Sequence, residues 1–208
     1  MNELLVRTLT GLIMIVAALI VAFHGGTLFA VVAAGLATAM FYEWTRLVRG
    51  RGVLWYMAGF FYAALPALAL LWIRERSGID LLLWVFIVTW STDIGAYFAG
   101  RRFGRRKLAP SISPGKTIEG LLGGVVAATV LGGAWVFAAH LKLPLLLVAP
   151  LFAVAAQMGD LFESSLKRRA GVKDSGNWLP GHGGVLDRLD GLVPVAVLTA
   201  LVQIAGLA

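Results

Sequence analysis

One polar stretch, residues 160–190, carries most of the side chains in this sequence that could take part in chemistry. Within an otherwise apolar chain it holds acidic, basic and imidazole groups: Asp160, Glu163, Lys167, Arg168, Arg169, Lys173, Asp174, His182, Asp187, Arg188 and Asp190. Carboxylates beside a bilayer are costly unless they are paired or bound to a metal ion. Acidic and basic groups that alternate next to glycines are typical of sites for a metal ion and phosphate. The stretch therefore predicts phosphate chemistry at a membrane surface.

Helical spacing divides this stretch into two groups of polar residues. The first group falls at i, i+3, i+4 and i+7, on one face of a helix: Asp160, Glu163, Ser164 and Lys167. Asp187 and Asp190 are three residues apart and also share a face, at the start of the last apolar run. Acids at a helix N-terminus are favoured by the helix dipole, so this second pair has a structural alternative. Asp160 and Asp187 could converge on a hard cation, with water and phosphate oxygens completing its shell.

A second polar segment, residues 91–120, precedes the first. Asp93 lies within an apolar run, an expensive place for an acid, and this favours a functional role for it together with Ser113, Lys116 and Glu119. Lys116 and Thr117 come directly before a predicted helix, whose first N–H groups could bind phosphate with them.

Two parts of these segments have plainer interpretations. Pro110 stands where a Walker A loop needs glycine, so the Gly-Lys-Thr triplet at residues 115–117 is not such a loop. The basic run at 101–107 favours a topological role. His182, in a glycine-rich hinge, is either an ordinary loop histidine or a donor to phosphate.

Composition indicates an integral membrane protein. Hydrophobic residues make up 59% of the chain and charged residues 14%, where a soluble domain carries about a quarter charged. The chain contains no cysteine, which excludes disulfides and thiolate metal sites. The net charge of +7 lies between apolar runs, and this favours anionic lipid headgroups or a nucleotide as partners over nucleic acid.

Seven apolar runs could each cross a bilayer core of about 30 Å, which requires about 20 residues. They lie near 4–23, 27–46, 53–73, 79–100, 117–140, 144–163 and 189–207. The sequence thus predicts an all-α, polytopic membrane bundle of about seven helices with a polar site at its cytoplasmic side. We expect one membrane domain, residues 1–208.

Charge distribution predicts the orientation of this bundle. With the N-terminus in the cytoplasm, all but three of the 18 Lys and Arg residues lie on the cytoplasmic side, the exceptions being Arg74, Arg76 and Lys142. Arg7 belongs to the cytoplasmic set. The bias predicts a multi-pass protein of the inner (plasma) membrane whose polar site faces the cytoplasm, where nucleotides are found.

Glu43 and Trp44 end the second apolar run. We expect Glu43 to lie at the membrane interface, paired with Arg46 at i+3.

The two polar segments resemble the phosphatidate cytidylyltransferase family, the CDP-diacylglycerol synthases. The fixed positions of that family's pattern all match, at Ser164, Leu166, Lys167, Arg168, Lys173, Asp174, Pro180, His182, Gly183, Gly184, Asp187, Arg188 and Asp190. The upstream blocks S-T-D-x-G-A-Y-x-x-G and S-P-G-K-T-x-E-G are also similar, so the resemblance covers roughly residues 90–192. Family members are usually longer, so residues 1–75 are expected to be a shortened N-terminal part and 79–208 the catalytic half.

The resemblance implies the reaction CTP + phosphatidate → CDP-diacylglycerol + pyrophosphate. It implies Mg²⁺ held by Asp160 and Asp187, with K⁺ as a second ion, and catalytic roles for Asp160, Lys167, Arg168, Asp187 and Asp190. The expected substrate-binding residues are Asp93, Ser113, Lys116, Thr117, Glu119, Ser164, Lys173, Asp174, His182, Gly183, Gly184 and Arg188. CTP, phosphatidic acid and membrane lipids are the expected partners, and a homodimer is compatible with the resemblance.

Three other functions are alternatives to this reaction. CDP-alcohol phosphotransferases share the start of their motif with Asp187–Gly191, but Pro194 and Val195 stand where that motif needs Ala-Arg. A CTP-dependent polyprenol kinase, or a cytidylyltransferase for another lipid such as an archaeal ether lipid, stays open as an alternative. A transporter would show inverted repeats and a midplane site, whereas these acids gather at one membrane face.

Overall fold

A computed structural model describes residues 3–179 and 181–208, with side chains from residue 8 onward. Pro180 and the side chain of Arg7 lie outside the described residues. The structure is a bundle of helices with one small hairpin, in agreement with the predicted all-α class. Its helices are α1 (Glu3–His24), α2 (Gly26–Leu47), α3 (Val53–Arg76), α4 (Gly78–Phe103), α5 (Ile118–Ala138), α6 (Pro144–Arg169), α7 (Leu186–Leu189) and α8 (Leu192–Ile204).

Five of these helices, α2 to α6, are long and apolar enough to cross a membrane. Among the described residues, the other two candidates contain shorter apolar helices, Thr8–His24 and Leu192–Ile204, so the predicted count of seven spans is not confirmed. Large apolar side chains such as Ile13, Val126 and Leu147 are exposed on the outer surface, as expected of helices that face lipid.

Two helix ends differ from the predicted spans. The sixth run continues as helix to Arg169, so the polar residues from Asp160 to Lys167 remain on its last turns. The last run does not form a single helix from residue 189. The short α7 ends at Leu189, and α8 begins at Leu192, with Pro194 in its first turn, where proline needs no hydrogen-bonded N–H.

A hairpin that the sequence did not predict connects α4 and α5. Strands β1 (Lys107–Ala109) and β2 (Ser113–Thr117) pair antiparallel, Lys107 opposite Thr117. Pro110 and Pro114 disfavour a helix here because each lacks a backbone N–H and its ring clashes with the preceding turn. The hydroxyl of Thr117 then accepts from Gly120 N at 3.0 Å and caps α5, which places Lys116 directly before that helix.

Two buried clusters hold the bundle together. The larger joins α4, α6 and α8 through side chains that include Trp84, Val88, Phe152 and Val195. The smaller contains Met40, Trp44, Ala63, Leu166 and Leu186, so it packs α2 and α3 against α6 and α7. These clusters fix the two acidic segments, residues 160–167 and 187–190, beside each other.

Candidate active site

A polar cavity of about 610 Å³ lies between α4, α6 and the α7–α8 turn, beside the hairpin. Five carboxylates line it: Asp93, Asp160, Asp174, Asp187 and Asp190. Four basic side chains line it too: Arg101, Lys116, Lys167 and Arg188. Residues from both polar segments of the sequence therefore share one cavity.

Lys116 connects the hairpin to α6 and α4. Its Nζ lies 2.5 Å from Asp160 Oδ2 and donates to Gln157 Oε1 at 2.8 Å. The Nε2 of the same Gln157 amide donates to Asp93 Oδ1 at 3.3 Å. On the opposite side, Ser164 Oγ donates to Asp160 Oδ1 at 3.3 Å. The phosphate-binding groups expected around residue 116 and the acid at 160 are thus in direct contact.

Lys167 lies between two carboxylates. Its Nζ is 2.6 Å from Glu163 Oε2 and 2.5 Å from Asp187 Oδ1. Glu163 is fully buried, and its contact with Lys167 at i+4 provides its charge partner. An ammonium group has three protons, so Lys167 retains one for a further acceptor in the cavity.

Asp187 is held by the loop that precedes α7. Its Oδ2 accepts from Ser175 N at 2.9 Å and from Gly184 N at 2.8 Å, and it lies 3.0 Å from the Ser175 hydroxyl oxygen. Burial favours the neutral acid, but the hydrogen bonds from Lys167, Gly184 and Ser175 outweigh it and lower the pKa of Asp187 below its ordinary value. Asp187 is therefore a fixed carboxylate anion that faces the cavity.

The α7–α8 turn packs directly on α6. Asp190 Oδ1 accepts from Gly191 N at 2.8 Å, and a Cβ at Gly159 would lie only 2.3 Å from the Asp190 carbonyl oxygen. Gly159 is the residue before Asp160 on α6. The absence of a side chain at 159 is what allows Asp160 and the 187–190 turn to line the same cavity.

This close approach yields a testable prediction. Gly159→Ala would push the turn away from α6, and we expect turnover to fall at least about tenfold, since a displacement of about 1 Å can cost 100-fold. Gly35→Ala is the matched control, because Gly35 is also helical and has open space around its Cβ position. Steady-state kinetics in detergent would measure both variants, and equal activities would contradict the proposed packing role.

Several predicted site residues have other contacts. Arg168 donates to the carbonyl oxygens of Ile112 and Val172, so it joins the hairpin to the end of α6. Glu119 accepts from the backbone N–H groups of Arg105 and Arg106, at 3.0 Å and 3.2 Å for its Oε2. Neither belongs to the described lining of the cavity.

The remaining predicted residues fall into two groups. Thr117, Asp174 and Arg188 line the cavity, and Arg188 Nε donates to the His182 carbonyl oxygen at 2.9 Å. The others lie outside its described lining: Ser113, Ser164, Lys173, His182, Gly183 and Gly184. Of these, Ser164 and Gly184 contact Asp160 and Asp187 directly, as described above. The ring of His182 lies against Gly11 of α1.

The structure also brings in residues that the sequence analysis did not assign to the site. Gln157 precedes Asp160 by three residues, so helical spacing would have placed it on the same face. Arg101, from the run given a topological role, lines the cavity and donates to Tyr97 Oη at 2.7 Å. Glu163, on the predicted polar face, is the buried partner of Lys167.

The interpretation of Glu43 as an interfacial residue paired with Arg46 was wrong. Glu43 is fully buried, whereas Arg46 is exposed. Its carboxylate accepts from Ser175, Val185 and Leu186. A helix end suggests an exposed side chain. In the folded chain, however, a loop from the last third of the sequence covers Glu43.

Comparison with known proteins assigns the chain to a family. The sequence model described as "Cytidylyltransferase family" matches residues 50–205, which include the whole cavity. The chain belongs to the Cytidylyltransferase family. Glu43 lies outside the matched residues, although it contacts a loop inside them.

Curated relatives carry one name. The chain is 48% identical over 173 residues to "Phosphatidate cytidylyltransferase" of Brucella suis, and this alignment covers 81% of this chain and 62% of that protein. It is 51% identical over 119 residues to the Bacillus subtilis protein of the same name, covering 56% of this chain and 44% of that protein. The aligned part of this chain thus spans less than two thirds of either relative's length.

Proposed function

We propose that this cytidylyltransferase-family protein transfers CMP from CTP to phosphatidate, giving CDP-diacylglycerol and pyrophosphate. The observation that carries the proposal is the meeting of the Lys116–Asp160 and Lys167–Asp187 pairs in one cavity. Lys116 belongs to the upstream block on which the family resemblance rests, and Lys167 and Asp187 belong to the downstream block. The acceptor that we propose, phosphatidate, is the one in the name of the relatives.

The chemistry suits a cavity with both acids and bases. An oxygen of the phosphatidate phosphate attacks the α-phosphorus of CTP, one P–O bond forms, and the bond to the β-phosphate oxygen breaks as pyrophosphate leaves. A phosphate monoester is mostly ionised at neutral pH, so the attacking oxygen needs no general base. Catalysis then rests on positioning and on neutralising charge. The four basic side chains that line the cavity are the groups we assign to the phosphates: Arg101, Lys116, Lys167 and Arg188.

The donor set fits a hard divalent ion. The five lining carboxylates outnumber the four lining bases, and oxygen ligands are those that Mg²⁺ prefers. Within the described part of the chain no three acids or histidines lie close enough to form a complete metal cluster, but Mg²⁺ binds through one or two carboxylates plus phosphates and water. Asp160 and Asp187 would hold it. When bound, the ion would offset the charge that repels one phosphate substrate from the other. The potassium ion and the homodimer stay predictions.

The orientation is also a proposal. The bias of Lys and Arg supports a cytoplasmic N-terminus and a cavity that opens to the cytoplasm of the inner membrane. In sealed inverted vesicles, CTP added outside should then be consumed. Consumption of external CTP by right-side-out vesicles would contradict this orientation.

The acceptor is tested by direct competition. Purified protein with CTP and Mg²⁺ should convert phosphatidate to CDP-diacylglycerol, detected by mass, and should leave a polyprenol and a polyprenyl phosphate unchanged. Phosphorylation of the polyprenol would favour the kinase alternative instead. A CDP-lipid formed only from another phospholipid acceptor would identify a cytidylyltransferase of different specificity.

A further inference from the structure

Helix α2 contributes a buried carboxylate to the loop that precedes Asp187. Glu43, near the end of α2, is 0% exposed. Its Oε1 accepts from Val185 N at 3.0 Å, and its Oε2 accepts from Leu186 N at 2.8 Å and from Ser175 Oγ at 2.9 Å. A carboxylate has only acceptors, and here three donors satisfy it: two from the loop that precedes α7, Ser175 and Val185, and one from the first residue of α7, Leu186.

Ser175 links this carboxylate to the candidate active site. Its hydroxyl lies 2.9 Å from Glu43 Oε2 and 3.0 Å from Asp187 Oδ2, and its backbone N–H donates to the same Asp187 oxygen. One residue therefore separates Glu43 from the carboxylate to which we assign the metal ion. The remaining donors, Val185 N and Leu186 N, begin the short helix that contains Asp187.

The loop is shaped around Glu43. A Cβ on Gly184 would lie 2.5 Å and 2.6 Å from the two Glu43 oxygens, and Gly184 N is itself a donor to Asp187. Such short distances mean that the backbone encloses the carboxylate without room for another group. A side chain at residue 184 would therefore displace either the loop or the Glu43 carboxylate.

The support behind Glu43 is rigid. The next residue, Trp44, is almost fully buried and donates from Nε1 to the Trp55 carbonyl oxygen at 2.8 Å. Its ring packs against Tyr62 of α3 and Phe162 of α6. Glu43 is thus held on a fixed platform formed by α2, α3 and α6.

We propose that Glu43 is a positioning residue for the transfer reaction, which sets Asp187 toward the cavity through Ser175 and the N–H groups of Val185 and Leu186. The inference rests on the proposed function for its choice of substrates. It assigns the N-terminal helices a direct part in the site, in addition to their packing against the bundle.

The test replaces Glu43 with glutamine, which keeps the size but turns one acceptor oxygen into a donor. At least one buried N–H or hydroxyl then loses its acceptor. Glu75→Gln is the matched control, since it makes the same charge change at an exposed site at the end of α3. Because the chain has no cysteine, an Asn177→Cys background allows a spin label on the exposed tip of the loop.

We expect Glu43→Gln to increase the mobility of the label at 177 and to lower kcat by at least about tenfold. The KM for CTP should change less than kcat, and the Mg²⁺ concentration for half-maximal rate should rise. Glu75→Gln should match the parent in all four readouts. Unchanged label mobility and unchanged kcat in folded Glu43→Gln would overturn the proposal. The expected loss of kcat without any change in the mobility of the label would overturn it too.

Ser175→Ala keeps the test decisive if Glu43→Gln fails to fold. It removes only the hydroxyl between Glu43 and Asp187, and it should mobilise the label and lower kcat in the same direction by a smaller factor. A folded Ser175→Ala protein with parental mobility and kcat would refute the link. If the parent makes no CDP-lipid at all, the proposed function fails, while the spin-label comparison still decides whether Glu43 holds the loop.

Discussion

Asp160→Asn is expected to reduce CDP-lipid formation by at least about 100-fold, because the change removes a charge from the lining of the cavity. Asp160 Oδ2 is 2.5 Å from Lys116 Nζ, and its Oδ1 accepts from Ser164. Asparagine keeps the shape and an acceptor for the Ser164 hydroxyl, so the fold should survive. The measurement is the initial rate at several Mg²⁺ concentrations, together with thermal unfolding in detergent.

Asp80→Asn is the control for this experiment, since Asp80 is an exposed acid in the first turn of α4. It should behave like the unmodified protein. The same change at Asp187 should lower activity and also stability, because Asp187 accepts hydrogen bonds from Ser175 and Gly184. An Asp160→Asn protein with the parental rate and the parental Mg²⁺ dependence would contradict the assignment of Asp160.

Lys167→Met is expected to have the second largest effect, on stability as well as on activity. It would leave the buried Glu163 carboxylate and Asp187 without their cation, and breaking a buried ion pair in this way costs about 3–5 kcal/mol. Adding Glu163→Gln should restore much of the thermal stability because no unpaired buried charge remains at 163. Turnover should stay low in the double variant, since the third Lys167 proton is our candidate donor to phosphate.

Arg169→Met is the matched control for this series, as Arg169 is an exposed basic residue on the same turn. It should change neither the unfolding midpoint nor kcat/KM. Full recovery of turnover in the Glu163→Gln/Lys167→Met protein would show that Lys167 is needed only to balance charge. An unchanged midpoint in Lys167→Met would contradict the buried pair itself.

Local spacing was enough to predict much of the site. Residues at i, i+3, i+4 and i+7 share a helical face whatever surrounds them, and Asp160, Ser164 and Lys167 follow that rule in the structure. The same geometry explains why Arg168 does not accompany Lys167. Consecutive residues are turned by about 100° on a helix, so Arg168 projects toward the hairpin instead.

Long-range contacts could not be predicted in this way. Glu43 and Ser175 are separated by 132 positions, and no periodicity relates a helix end to a distant loop. The hairpin could not be predicted for a similar reason. Its prolines predicted a break in helical structure, but the course of the chain depends on Glu119 of the next helix. The Glu119 carboxylate accepts hydrogen bonds from the backbone N–H groups of Arg105 and Arg106. The seven-span count depended on apolar length alone, which the short α8 does not supply.

The most direct test of the proposed reaction follows two labels of CTP into lipid. Purified protein receives phosphatidate, Mg²⁺ and CTP labelled on either the α- or the γ-phosphorus, with Asp160→Asn as the inactive reference. Transfer of CMP predicts that the α-label enters the lipid and the γ-label leaves as pyrophosphate. Entry of the γ-label into lipid, or no labelled lipid from folded protein, would contradict the account.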